Sequence, residues 1–93
     1  MGSKEKLIGR FKRLPKDFTY DEVVRLFNVF GYTEYNKGTT SGSRVEFVSG
    51  DGTESYIMHK PHPSNIIKLY AMRQLFEYIQ KNKLIEKYKQ NKK

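Results

Sequence analysis

The stretch from Gly42 to His62, GSRVEFVSGDGTESYIMHKPH, constrains the fold of this chain more than any other. It sets Asp51-Gly52 between two segments of alternating polar and apolar residues. Asp-Gly in that setting predicts a hairpin, because a type I′ turn needs positive φ at both central residues. With those two residues as the loop, Gly50 pairs with Thr53 and the register follows by counting outward. Ser49 then faces Glu54, Val48 faces Ser55, Phe47 faces Tyr56, Glu46 faces Ile57, Val45 faces Met58, and Arg44 faces His59. Directly opposed residues of an antiparallel pair project to the same face. Val45, Phe47, Tyr56 and Met58 therefore read as a core face, and Arg44, Glu46 and His59 as a solvent face. A cation, a carboxylate and an imidazole are gathered on one open sheet surface.

The flanking segments read mainly as helices. Leu7, Ile8, Phe11 and Leu14 have helical spacing, so a short helix is expected over Lys4–Leu14, ended by Pro15. Thr19-Tyr20-Asp21-Glu22 fits a capping box, and Val23, Val24, Leu26, Phe27 and Phe30 then form one apolar stripe up to Gly31. A short strand is expected near Tyr32–Asn36, followed by a small-residue loop, Lys37 to Gly42. Beyond the hairpin, Lys60-Pro61-His62-Pro63 forces extended backbone. The last helix starts between Ser64 and Lys68 and carries Leu69, Met72, Leu75, Phe76 and Ile79 on one face. Leu84 and Ile85 cap the core, and a basic tail is expected to fray over about residues 86–93. The order α-α-β-β-β-α is satisfied by an α+β fold: a three-stranded antiparallel sheet with helices packed on one face. Without the first helix, this is the layout of the double-stranded RNA-binding domain.

Size and charge narrow the function classes. Ninety-three residues read as a single domain with one modest core. No apolar run approaches the ~20 residues of a membrane span, and no long apolar stretch marks a secretory signal. The chain has no cysteine, which excludes disulfides and thiolate metal sites. A cytoplasmic location is the simplest expectation. The formal net charge of +8 attracts polyanions, of which nucleic acid is the commonest. Much of that charge, however, lies in C-terminal lysines that solvation alone explains. No metal or small-molecule cofactor is expected: His59 and His62 flank Pro61 in an extended segment with no carboxylate nearby in sequence. Gly50-Asp51-Gly52 is a turn with no helix after it, unlike a nucleotide-binding loop.

Four segments together resemble the HicA family of toxins from bacterial toxin–antitoxin systems. They are the capped helix Thr19–Phe30 followed by Gly31-Tyr32, Gly42-Ser43-Arg44 opening the second strand, His59-Lys60-Pro61-His62 closing the third, and the last helix ending near Lys83-Leu84-Ile85. The resemblance implies a double-stranded-RNA-binding-domain-like fold, metal-free cleavage of messenger RNA, and inhibition by a HicB-like antitoxin. One departure matters. The family pattern is Gly-Ser-His at the head of the second strand, with that His catalytic, and this chain has Arg44 there. Arginine is no base at neutral pH, since its guanidinium stays protonated. The expected register puts His59 directly across from Arg44, so an imidazole reaches nearly the same place from the neighbouring strand.

Metal-free RNA cleavage needs a base for the 2′-hydroxyl proton, a cation for the phosphorane and an acid for the leaving oxygen. A histidine can do either proton task near neutral pH, and an arginine fork clasps two phosphate oxygens. On this reading His59 is the acid or base, Arg44 holds phosphate, and His62 or Lys60 assists. Lys37, Lys60, Lys68 and Arg73 are candidates to line the RNA path. Plainer explanations stand beside these. His59 can end an edge strand as a weak surface partner of Glu46, His62 can be a loop residue, and each lysine can be a solvated charge. Two other functions fit the same residues: a non-catalytic RNA-binding module, or a domain that binds an acidic protein partner.

Overall fold

Thr19 opens the helix that the sequence marks most clearly. Its hydroxyl accepts the Glu22 backbone N–H at 3.2 Å, and the Glu22 carboxylate accepts the Thr19 N–H at 2.9 Å, so the capping box is complete. A cap of this kind stabilises a helix by about 1 kcal/mol. The computed structural model describes residues 3–36, 44–61 and 64–91. Its elements are α1 (Ser3–Lys12), α2 (Tyr20–Val29), β1 (Tyr32–Asn36), β2 (Arg44–Ser49), β3 (Ser55–His59), α3 (Leu69–Lys81) and α4 (Leu84–Asn91). The strands form one open antiparallel sheet in the order β1-β2-β3. The fold is thus α+β, with three strands and four helices among the described residues. No helix among them is long and apolar enough to cross a membrane.

The period-2 pattern of β2 decides which side the helices cover. Val45 and Phe47 are fully buried, and they join Phe11, Val23, Leu26, Phe27, Met72, Leu75 and Ile79 in a single cluster. Phe27 of α2 stacks on Phe47 of β2 with ring centres 4.3 Å apart. Burying a side chain of that size contributes about 1.5–3 kcal/mol. Tyr56 and Met58 are half-buried on the same face, as the alternation requires. The expected hairpin register is present throughout, from Val48↔Ser55 to Arg44↔His59.

The turn that sets this register is not the expected type. The Gly52 N–H donates to the Ser49 carbonyl at 2.9 Å, and the Ser49 N–H to the Glu54 carbonyl at 2.8 Å. Positive φ occurs at Gly52 (+75°) and not at Asp51, so the two-residue I′ turn is absent. The Asp51 carboxylate instead accepts from the Ser49 hydroxyl and from both the N–H and the hydroxyl of Thr53. These bonds hold its pKa down to about 2. Gly50 and Thr53 drop out of the ladder one on each side, so the register is unchanged.

Other differences lie at the helix ends. Residues 86–93 were expected to fray, but α4 runs through Leu84–Asn91 with Leu84 buried and Ile85 and Tyr88 half-buried. The Tyr88 hydroxyl donates to Glu5 of α1 at 3.0 Å, which ties α4 back to the N-terminal helix. Lys83, between α3 and α4, takes the left-handed conformation at φ +55°. That region costs an L-residue about 1–2 kcal/mol and is normally left to glycine. At the other end of α3, Leu69 is its first residue and is exposed, so the buried face begins at Met72. Between α1 and α2, the chain at Phe18–Tyr20 pairs with the segment before α3. Ile67 N–H donates to the Phe18 carbonyl at 2.8 Å and Tyr20 N–H to the Asn65 carbonyl at 2.9 Å.

Candidate functional site

Arg44 is the first residue of β2 and His59 the last of β3, and the ladder sets them directly opposite one another. Opposed residues have Cβ atoms about 4.5–5.5 Å apart on one face. Both side chains are exposed. Neither makes a hydrogen bond or ion pair among the described residues. Pro61 follows His59 by two positions and cannot donate to a ladder, which suits the end of a strand at this point.

The same face continues away from this pair. One row of the sheet is Tyr35–Glu46–Ile57 and the next is Thr33–Val48–Ser55. Tyr35 and Ile57 are 52% and 53% exposed, because none of the described helices covers this side. Alternation along the hairpin puts Arg44, Glu46 and His59 here. Tyr35 joins them, a position signalled by the alternation of Tyr32, Thr33, Glu34 and Tyr35 but absent from the candidate residues above.

The remaining candidates are dispersed. The Lys60 ammonium lies 5.6 Å from the centre of the Tyr20 ring. That ring packs against Phe47 on the buried face. Alternation along the strand thus carries Lys60 to the helical side of the sheet, away from His59, and it does not stand beside the imidazole as an assisting group. The Tyr20 hydroxyl donates to the Glu34 carboxylate, and burial, followed by that bond, raises the tyrosine pKa. Lys68 occupies the N-cap position of α3, and Arg73 lies on the exposed side of that helix. Neither is on the open sheet face. Lys37 and His62 lie outside the described residues.

A second group of cations lines a groove between α1 and α2, formed by Lys4, Lys6, Arg10 and Arg25. Its central member is already engaged. The Arg10 guanidinium donates to Glu22 at 2.9 Å and to Asp17 at 3.1 Å. The Arg10 contact holds the Glu22 carboxyl below the usual carboxylate range. Among the described residues, no three His, Asp or Glu side chains converge as metal ligands would.

What the fold and site define is a small, strongly basic α+β protein with an open sheet face that bears an imidazole, a guanidinium and an exposed aromatic. No family model, curated protein or solved structure matches the chain.

Proposed function

We propose that this chain is a metal-independent endoribonuclease of the HicA toxin type, acting on messenger RNA in the cytoplasm and held inactive by a HicB-like antitoxin. The observation that carries the reading is the register of Arg44 against His59, with both side chains exposed on an uncovered sheet. The order α2-β1-β2-β3-α3 supports it, since that is the layout of the double-stranded RNA-binding domain. So does the net charge of +8, which draws RNA to the surface.

The chemistry follows from the two side chains. Neutral His59 takes the proton from a 2′-hydroxyl, and the freed oxygen attacks the adjacent phosphorus. Arg44 donates two hydrogen bonds to the non-bridging phosphate oxygens and stabilises the charge that builds on them. The 5′-oxygen takes a proton from water and leaves with the 3′ fragment, and the 5′ fragment ends in a 2′,3′-cyclic phosphate. If a second group is the base, the imidazolium of His59 supplies that last proton instead. DNA is spared because it has no attacking hydroxyl.

The test uses purified protein free of antitoxin, incubated with RNA in the presence of a chelator. Cyclic-phosphate products are expected, and His59→Ala lowers the rate about 10²- to 10⁴-fold, the usual contribution of a general acid or base. Native protein that leaves RNA intact, or a His59→Ala variant as fast as the native one, defeats the reading.

One observation favours a second reading. The HicA pattern has a histidine where this chain has Arg44. A non-catalytic RNA-binding module accounts for that exchange, and it predicts salt-sensitive binding with no product.

A further inference from the structure

Most tyrosines of this fold are occupied. Tyr20 bonds Glu34, Tyr32 bonds Glu54 and Tyr78, and Tyr56 packs on Phe27 and Tyr78. Tyr88 is tied to Glu5. Tyr35 differs from all of these. It stands 52% exposed on the uncovered face, and none of the ring–ring contacts among the described residues involves it. Its row, Tyr35–Glu46–Ile57, is the one next to Arg44–His59. Two residues along a strand separate the rows, about 6.6–6.8 Å.

We propose that Tyr35 is a base-stacking platform for single-stranded RNA whose phosphate lies at Arg44 and His59. The inference rests on the RNA reading above and adds the residue that selects unpaired strands. Charge complementarity sorts the two rows. The guanidinium row attracts the phosphate, and the exposed ring in the neighbouring row is left to an uncharged base. The sugar joining a base to its phosphate spans the gap between the rows. Every base offers a π face, so an exposed ring binds unpaired nucleotides with little sequence preference. Bases inside a duplex are stacked on one another and do not reach it. The platform therefore separates single strands from duplexes, despite the element order shared with a duplex-binding fold. Tyr70 is more exposed still, at 66%, but it belongs to α3 on the helical side, which makes it the matched control.

The experiment measures binding in the His59→Ala background, so that turnover does not erode the signal. The probe is a fluorescently labelled single-stranded RNA oligomer in chelator, with a duplex of the same sequence alongside. Tyr35→Ala and Tyr35→Leu weaken single-strand binding about 5- to 100-fold, the usual effect of losing one stacked base. Tyr35→Phe keeps the ring and stays within about twofold, and Tyr70→Ala is neutral. The salt slope is unchanged in the Tyr35 variants, because stacking releases no counterions, whereas Arg44→Ala makes it shallower by about 0.7. Duplex binding does not move with Tyr35. Leucine binding as well as tyrosine, or equal losses on single and double strands, overturns the platform. Neutral Tyr35 variants in a protein that still cleaves RNA overturn the platform alone. A native protein that neither binds nor cleaves RNA overturns the functional reading, and the platform with it.

Discussion

At the scale of single residues, the exchange at position 44 sets the problem. A guanidinium stands where the resemblance expects an imidazole, and the ladder supplies an imidazole from directly across the hairpin. If position matters more than the strand of origin, the two sites are interchangeable. Arg44→His in the His59→Ala background then restores part of the cleavage lost in His59→Ala alone, measured as initial rate on RNA in chelator. No recovery in a folded double variant means that the imidazole acts from β3 only. Asp51 is the residue whose titration stabilises the hairpin turn. Its folded pKa is depressed to about 2 by the bonds from Ser49 and Thr53. Its contribution is therefore present above the ordinary carboxylate range, near 3.9, and is lost as pH falls toward 2. Asp51→Asn lowers the melting temperature at neutral pH. The gap to the native protein narrows between about pH 4 and pH 2; a gap that is constant with pH disproves the assignment.

At the scale of elements, the two ends of the chain differ in how openly they declare themselves. The α2 start is written in four adjacent residues, Thr19 to Glu22, whose bonds are local. The α4 helix is different. Its apolar residues are few, and the left-handed Lys83 before it carries no glycine to mark the break. Only docking distinguishes it from a frayed tail: Leu84 is buried in the common core and Tyr88 is bonded to Glu5. Leu84→Ala accordingly costs about 2–5 kcal/mol in urea denaturation, as for a buried leucine. A loss below a few tenths of a kcal/mol means that the C-terminal segment contributes nothing to the fold.

At the scale of the whole molecule, one aromatic-rich cluster ties the helices to the sheet. Its tyrosines make stability depend on alkaline pH. Burial raises the pKa of Tyr20, Tyr32, Tyr56 and Tyr78, and hydrogen bonds to Glu34 and Tyr78 add to the shift for Tyr20 and Tyr32 respectively. A group whose folded pKa is raised stabilises the fold below its unfolded value, near 10 for tyrosine, and this stability is lost as pH rises beyond it. Unfolding followed by circular dichroism should therefore coincide with tyrosinate absorbance of these rings above about pH 10. Ionisation of all four well before the loss of structure would contradict their burial. The uncovered side of the sheet is the other molecular feature, and it is the side that carries Arg44, His59 and Tyr35.

Turn residues, alternation and the capping motif determined the pairing of Arg44 with His59, the buried face of the hairpin, the α2 cap and the α+β class. Each of these is decided within one segment or between two strands joined by a short loop, where alternation and turn residues leave few choices. The tertiary structure decided the rest. Asp51 side-chain bonds replaced the expected I′ turn without shifting the ladder, because the loop lengthened equally on both strands. Lys60 went to the Tyr20 ring, α4 docked on α1, and Tyr35 was left exposed because none of the described helices covers its side of the sheet. The last three of those outcomes depend on contacts between residues far apart in the chain, and no repeat in the sequence encodes which face such contacts will leave open.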